Sequence, residues 1–371
     1  VNRIAGEIRV LHVVSAGEVG GAERMLVDLA RRGPSTSVRH AVALFTPAGG
    51  ALRAFFRDAG LEVHDAGPSS ESPLAIAART LGGGASEFVA RAARLAGAHL
   101  IHVHTFASQA LGTRAAASLA LPLVRTEHST RVYDDPSCWP FAYYSLEKAA
   151  AVVAISEHIA AVVRRRAPVS HQRVSIIPCG IDESRFPFAP PPAPSGPLRL
   201  VAVGRLDRRK GFDQAIEALR EAPDVHLEIV GDGEERSALE AQLGRAGMHE
   251  RVTLSGWLAE PAPAIARAEA ALCSSRSEGL GLALLEAMSV GRPIVTVPVG
   301  GVVDFVRDGE TGLVAGGTTV ADLAAVLRRA AAARAALPRL GEAARAAVLA
   351  RYTADAMATA YADLYRGLVP Q

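Results

Sequence analysis

Leu198-Arg-Leu-Val-Ala-Val-Gly-Arg-Leu-Asp-Arg-Arg-Lys-Gly211 reads as a strand, a tight basic turn and the start of a helix. The apolar run ends at Val203, and Gly204 and Gly211 let the backbone turn where strand meets helix. Arg205 and Lys210 therefore bring two positive charges to the carboxyl end of a strand, where open α/β sheets bind their ligands. A diphosphate suits that pair, because a guanidinium holds two phosphate oxygens at once and an ammonium adds a point charge. The competing reading of the turn on its own is a solvated basic loop.

The rhythm of strand and helix extends outward from this segment in both directions. Toward the amino terminus, strands are expected near Arg9–Val14, Val38–Phe45, Leu100–His104, Leu123–Thr126, Val152–Ile155 and Val174–Ile177. Helices such as Ala22–Arg32 and Glu157–Arg166 lie between them. Toward the carboxyl terminus come strands Val225–Val230, Val252–Leu254, Ala270–Cys273 and Pro293–Val297, with helices Asp213–Arg220, Glu234–Arg245 and Leu282–Ser289. Such alternation predicts an α/β protein with parallel, doubly wound sheets covered by helices on both faces. The prolines of Phe186–Pro197 can neither feed a ladder nor continue a helix, so 187–197 reads as an extended linker between domains at 1–186 and 198–352. The segment 353–371 has helical spacing at Met357, Tyr361, Leu364, Tyr365 and Leu368.

A chain of 371 residues can bury two separate cores. Lys+Arg of 40 against Asp+Glu of 38 leaves no bulk charge to favour nucleic acid. Cys138, Cys179 and Cys273 form no CxxC, which argues against a zinc site or a disulfide framework and fits a reducing cytosol. No apolar run approaches the roughly 20 residues of a membrane span, and Val1–Glu7 enters a strand directly, unlike a signal peptide. A cytoplasmic protein is expected. Val1 fits a GUG start, which with heavy Ala and Arg usage suggests a GC-rich bacterium. The Arg164-Arg165-Arg166 run reads as helix-end cations, the alternative being peripheral docking to anionic lipid at the inner face of a membrane.

Glu278-Gly-Leu-Gly-Leu-Ala-Leu-Leu-Glu286 sets two carboxylates eight residues apart. Helical spacing alone does not put them on one face. If Glu278 lies on the loop before the helix, both acids converge on a ligand at its N-terminus, where free N–H groups suit an anionic or hydroxyl-rich partner. A sugar nucleotide meets both demands.

Taken together, these segments resemble the donor-binding half of retaining glycosyltransferases of family 4, which have the GT-B fold of two Rossmann-like domains facing across a cleft. Further stretches carry the resemblance. Gly20-Gly21-Ala22-Glu23 opens the first helix as the family's glycine-rich loop does. Arg125-Thr-Glu-His128-Ser-Thr matches the strand end bearing its active-site histidine, and Ile155-Ser-Glu157 matches a further landmark. Ile177-Pro-Cys-Gly-Ile-Asp182 matches another, with Cys179 where asparagine is usual.

The resemblance implies transfer of a hexose-type sugar from a nucleotide diphosphate donor, UDP being the commonest, to a hydroxyl acceptor with retention at the anomeric carbon. Arg205 and Lys210 would stabilise the leaving diphosphate, Glu278 would hold the transferred sugar and Glu286 the ribose hydroxyls. Backbone from Gly279 through Leu280 and Gly281 to Leu282 would meet sugar hydroxyls. Gly204 and the loop Gly256-Trp257-Leu258 would border the nucleotide, and domain closure would bring Gly20 and Gly21 near the diphosphate. His128 would touch the sugar's hydroxymethyl oxygen, the departing phosphate itself taking the acceptor proton. Neither cofactor nor metal is expected, as there is no Asp-x-Asp. His102 and His104 alternate on one strand face with no third ligand evident, so they read as cleft-lining or core polar residues. The final helix is expected to cross back onto the first domain. Alternatives are a GT-B-shaped UDP-sugar epimerase and a non-catalytic binding protein; a dehydrogenase lacks its glycine fingerprint.

Overall fold

The computed structural model describes residues 6–47, 50–70, 72–104, 106–166 and 174–369. Residues 1–5, on which the expected start of the chain falls, and the last two residues of the final segment lie outside them. The chain divides into two compact units, 1–180 with 354–371, and 181–353.

The first unit holds a seven-stranded sheet. Its strands are β1 (Ile8–Ser15), β2 (Val38–Thr46), β3 (Glu62–Pro68), β4 (Leu100–Val103), β5 (Leu123–Glu127), β6 (Ala151–Ala154) and β7 (Val174–Ile176). They run parallel in the order β3-β2-β1-β4-β5-β6-β7. In β1 every residue but Arg9 is buried, as a strand covered by helices on both faces requires. Val14, Val42, Leu44, Leu26 and Phe56 form one contiguous core between sheet and helices.

The second unit repeats the plan with six strands: β8 (Leu198–Val203), β9 (Val225–Val230), β10 (Val252–Gly256), β11 (Ala270–Cys273), β12 (Ile294–Thr296) and β13 (Gly312–Val314). Their order is β10-β9-β8-β11-β12-β13, again all parallel. In both sheets the chain winds outward one way, then returns to build the other half. The strand pairs β1/β4 and β8/β11 are the points where that direction switches.

Two features depart from the sequence-based expectation. Strands β3 and β13 lie at sheet edges and lack the apolar run by which the others are recognised. The proline-rich stretch is not a free tether between bodies but part of the second unit. Phe186 is buried, its carbonyl accepts from Ser289 Oγ at 2.9 Å, and the Ala189 N–H donates to Val290 O at 3.1 Å. Arg292, fully buried, donates to Ala189 O at 2.9 Å, Pro190 O at 3.2 Å and Ala266 O at 2.8 Å. Prolines leave carbonyls without ladder partners, and one guanidinium satisfies several at once.

The helix Ala354–Leu368 belongs to the first unit, where Tyr361 and Tyr365 are buried against the sheet. Their hydroxyls meet Thr126 Oγ1 at 2.9 Å and His102 Nδ1 at 2.7 Å. Among the described residues no helix is long and apolar enough to cross a membrane.

Candidate active site

The basic turn after β8 folds as the sequence suggests. Asp207 accepts from the Arg209 N–H at 2.9 Å and so caps the short turn Arg208–Lys210. Gly211 follows at φ +64° and opens the helix Phe212–Leu219. A side chain there would collide with the Ser274 carbonyl, so glycine is what lets this loop approach the one after β11. The contact is reinforced by Ser274 Oγ, which donates to Lys210 O at 2.9 Å.

Lys210 then reaches across the switch point. Its Nζ donates to Glu278 Oε1 at 2.6 Å, and Ser275 Oγ donates to the same oxygen at 2.7 Å. Glu278 lies on the loop ahead of the helix Leu282–Ser289, as required for convergence, and Gly281 at φ +93° turns the chain into that helix. Gly300, at φ +49°, backs this loop so closely that a Cβ would strike the Glu278 carbonyl. Burial works against the charge on Lys210, but the Glu278 carboxylate outweighs it and the ammonium pKa stands raised. A concave pocket lined by Lys210, Ser275, Glu278, Gly281, Ala283 and Leu284 opens beside the pair.

The remaining expected residues of this unit surround the same sheet edge. Arg205 is exposed on the β8 loop, and Gly204 is half-buried, with the Lys210 side chain laid against it. Glu286 is buried in the second turn of its helix. Gly279 and Leu282 are half-buried, whereas the Leu280 side chain is in the core, so that residue can offer only backbone. The Gly256 carbonyl accepts from the Gly231 N–H at 2.8 Å, Leu258 is half-buried, and Trp257 is 66% exposed at the end of β10. Ser274 and Ser275 were not singled out from sequence. Their signal was position alone, between a strand end and an acidic loop.

On the first unit, Gly20 and Gly21 are exposed at the carboxyl end of β1, but the Gly20 N–H already donates to Glu23 Oε2 at 2.9 Å. His128 follows β5 and is half-buried; its Nε2 lies 3.2 Å from His104 Nδ1. For His102 and His104 the core reading holds, and only the expected lack of a third ligand needs correction. Both are buried in the core, and β1 contributes a third imidazole, His12, which stands beside His102 in register. The nitrogens of His12, His102 and His104 cluster within 4.8 Å, close enough for a metal by spacing. All six nitrogens nevertheless have protein partners: His40, His104, Tyr365, Thr126, His12 and His128. These three imidazoles are fully engaged in a hydrogen-bonded network. Tyr133, in the aromatic stretch after His128, is buried and donates to Glu127 Oε1 at 3.0 Å, a packing role.

Comparison with known proteins agrees with this geometry. The family profile described as Glycosyl transferases group 1 matches residues 184–347, and that described as Glycosyltransferase Family 4 matches residues 19–185. The glycogen synthase of Mycobacterium tuberculosis is 35% identical over 198 residues, 52% of this chain and 48% of that protein. The chain thus spans about half the length of the first curated relatives it matches. The alpha-D-kanosaminyltransferase of Streptomyces kanamyceticus is 30% identical over 275 residues, 67% of this chain and 71% of its own. The crystal structure of Anabaena HepE in complex with UDP and glucose superposes with a TM-score of 0.83 at 22% identity, covering 98% of this chain and all of the other. Two parallel Rossmann-like sheets, this likeness and the matched relatives place the chain in glycosyltransferase family 4, with the GT-B fold.

Proposed function

We propose that the protein transfers a hexose-type sugar from a nucleotide diphosphate donor, UDP in the first instance, to a hydroxyl acceptor with retention at the anomeric carbon. The observation that carries this reading is the meeting of Lys210 and Glu278, 68 residues apart, at the strand switch point and beside a helix N-terminus. Retaining transfer needs a cation where charge develops on the leaving diphosphate and an acid where the sugar's hydroxyls sit. Lys210 and Arg205 supply the first, and Glu278 the second. Glu286 takes the ribose hydroxyls, the amides of Gly279–Leu282 take sugar hydroxyls, and the loop Gly256-Trp257-Leu258 takes the base. On the first unit, His128 is the group offered to a sugar oxygen, and the exposed Gly21 is the backbone this loop offers to phosphate, the Gly20 N–H being held by Glu23. HepE has been crystallised with UDP-glucose, which supports the choice of donor. Because fixed side-chain cations carry the phosphate charge, turnover requires no divalent ion.

The test is a panel of nucleotide sugars scored for nucleotide release and for anomeric configuration of the product, with EDTA present. Release from one donor class and an anomer of unchanged configuration is expected. A new sugar epimer with no free nucleotide would instead establish the epimerase, and failure of folded protein to bind any donor would remove the reading.

A further inference from the structure

Four imidazoles stand in file across the first sheet. His40 Nδ1 lies 2.8 Å from His12 Nε2, His12 Nδ1 lies 2.8 Å from His104 Nε2, and His104 Nδ1 lies 3.2 Å from His128 Nε2. At one end, His40 Nε2 is buried without a hydrogen-bond partner. At the other, no hydrogen bond reaches His128 Nδ1 from the described residues. His102 leans against the file, 4.1 Å from His104 between ring centres, but its nitrogens go to Tyr365 and Thr126 and take no link in it.

A neutral imidazole carries one N–H and one acceptor nitrogen. Burial keeps the rings neutral, lowering His12 and His104 well below the ordinary range, His40 to about 3 and His128 to about 4. Three links must each receive one proton, and four rings bring four. Only two arrangements satisfy every link, and they run in opposite directions. In one, all rings are Nε2–H: His40 buries an N–H with no acceptor and His128 presents a bare Nδ1. In the other, all are Nδ1–H: His40 buries only a lone pair and His128 presents a donor. A buried orphan N–H is the rarer and costlier defect, so the second arrangement is favoured by a ratio on the order of ten or more.

We propose that His40, His12 and His104 are positioning residues that lock His128 as the Nδ1–H tautomer, making it a hydrogen-bond donor and not a proton acceptor. On the reading above, which this deepens, that donor is aimed at an oxygen of the sugar substrate. A base at this position would need the opposite tautomer. The orientation of one proton on β2 is thus read out three rings away, after β5.

The experiment is a two-bond proton–nitrogen correlation spectrum of the full chain labelled with nitrogen-15 histidine at neutral pH. The 11 histidines are assigned by single replacement, with His128→Asn locating the outermost ring. Rings 40, 12, 104 and 128 are all expected in the Nδ1–H form. Any one of them in the Nε2–H form overturns the proposal, and this arm needs no variant other than for assignment. In His104→Leu the file is cut, and His128 is expected to become a mixture of tautomers. An unchanged His128 in a folded His104→Leu protein would show that the file does not set it. The spectra do not depend on any sugar being transferred, so they fail separately from the proposed reaction.

Discussion

Glu278 commits one oxygen, Oε1, to both Lys210 and Ser275, and among the described residues no hydrogen bond reaches Oε2. A carboxylate half engaged in this way is held in place yet keeps an acceptor for a ligand hydroxyl. Lys210→Ala removes a preorganised cation from the developing diphosphate charge and should lower kcat by about 10²–10³. Glu278→Gln keeps the shape but loses the charge, and about 10–100-fold in kcat/KM is expected from the weakened hydrogen bonds. Steady-state kinetics with parallel thermal melts check both, and unaffected rates in two folded variants would reject the assignment. Glu286→Gln acts on binding more than on chemistry. It should raise donor KM about tenfold with kcat nearly unchanged, and a kcat loss at constant KM would put Glu286 elsewhere in the mechanism.

At the scale of elements, one side chain holds several carbonyls on and around the proline-rich strap. Arg292→Leu would take the donor from the carbonyls of Ala189, Pro190 and Ala266, at a cost of about 1–3 kcal/mol, readable as a lower urea midpoint. A midpoint within experimental scatter of the parent would mean that water replaces the guanidinium. This strap also shows where sequence reasoning runs out. Prolines announce that a segment is neither strand nor helix, but not what it lies against; Arg292 is a hundred residues away and looks like any surface arginine. The central strands were legible because burial on both faces demands unbroken apolar runs, and β8, β9 and β11 fall where the hydrophobic pattern puts them. Edge strands have no such requirement. Glu62-Val-His-Asp-Ala-Gly-Pro68 alternates too weakly to be recognised, and Gly312–Val314 is three residues long. Lys210 and Glu278 were legible because glycines mark both their loops. The histidine file was not, since it draws one residue from each of four separated strands or strand ends.

For the whole molecule, the buried imidazoles dictate how stability responds to acid. His12, His40, His102, His104 and His128 all have depressed pKa values, burial being the first cause, against 6.5 for a free histidine. The unfolded chain therefore takes up protons below pH 6.5 that the folded chain refuses. Stability is full above that pH and is lost as pH falls below it toward 3, by about 1.4 kcal/mol per imidazole between pH 7.5 and 5.5. Urea melts at those two values should differ by several kcal/mol, and coincident curves would mean the rings are not held neutral. The helix Ala354–Leu368 has a consequence of another kind. It supplies the hydroxyls that meet His102 and Thr126, so the first unit lacks a wall until the ribosome has made everything between. The sheet of the first unit is closed only once residues 181–353 have been made and the helix beyond them has emerged. A truncation after residue 180 yields not a smaller domain but an open-faced one, prone to stick to whatever offers a substitute.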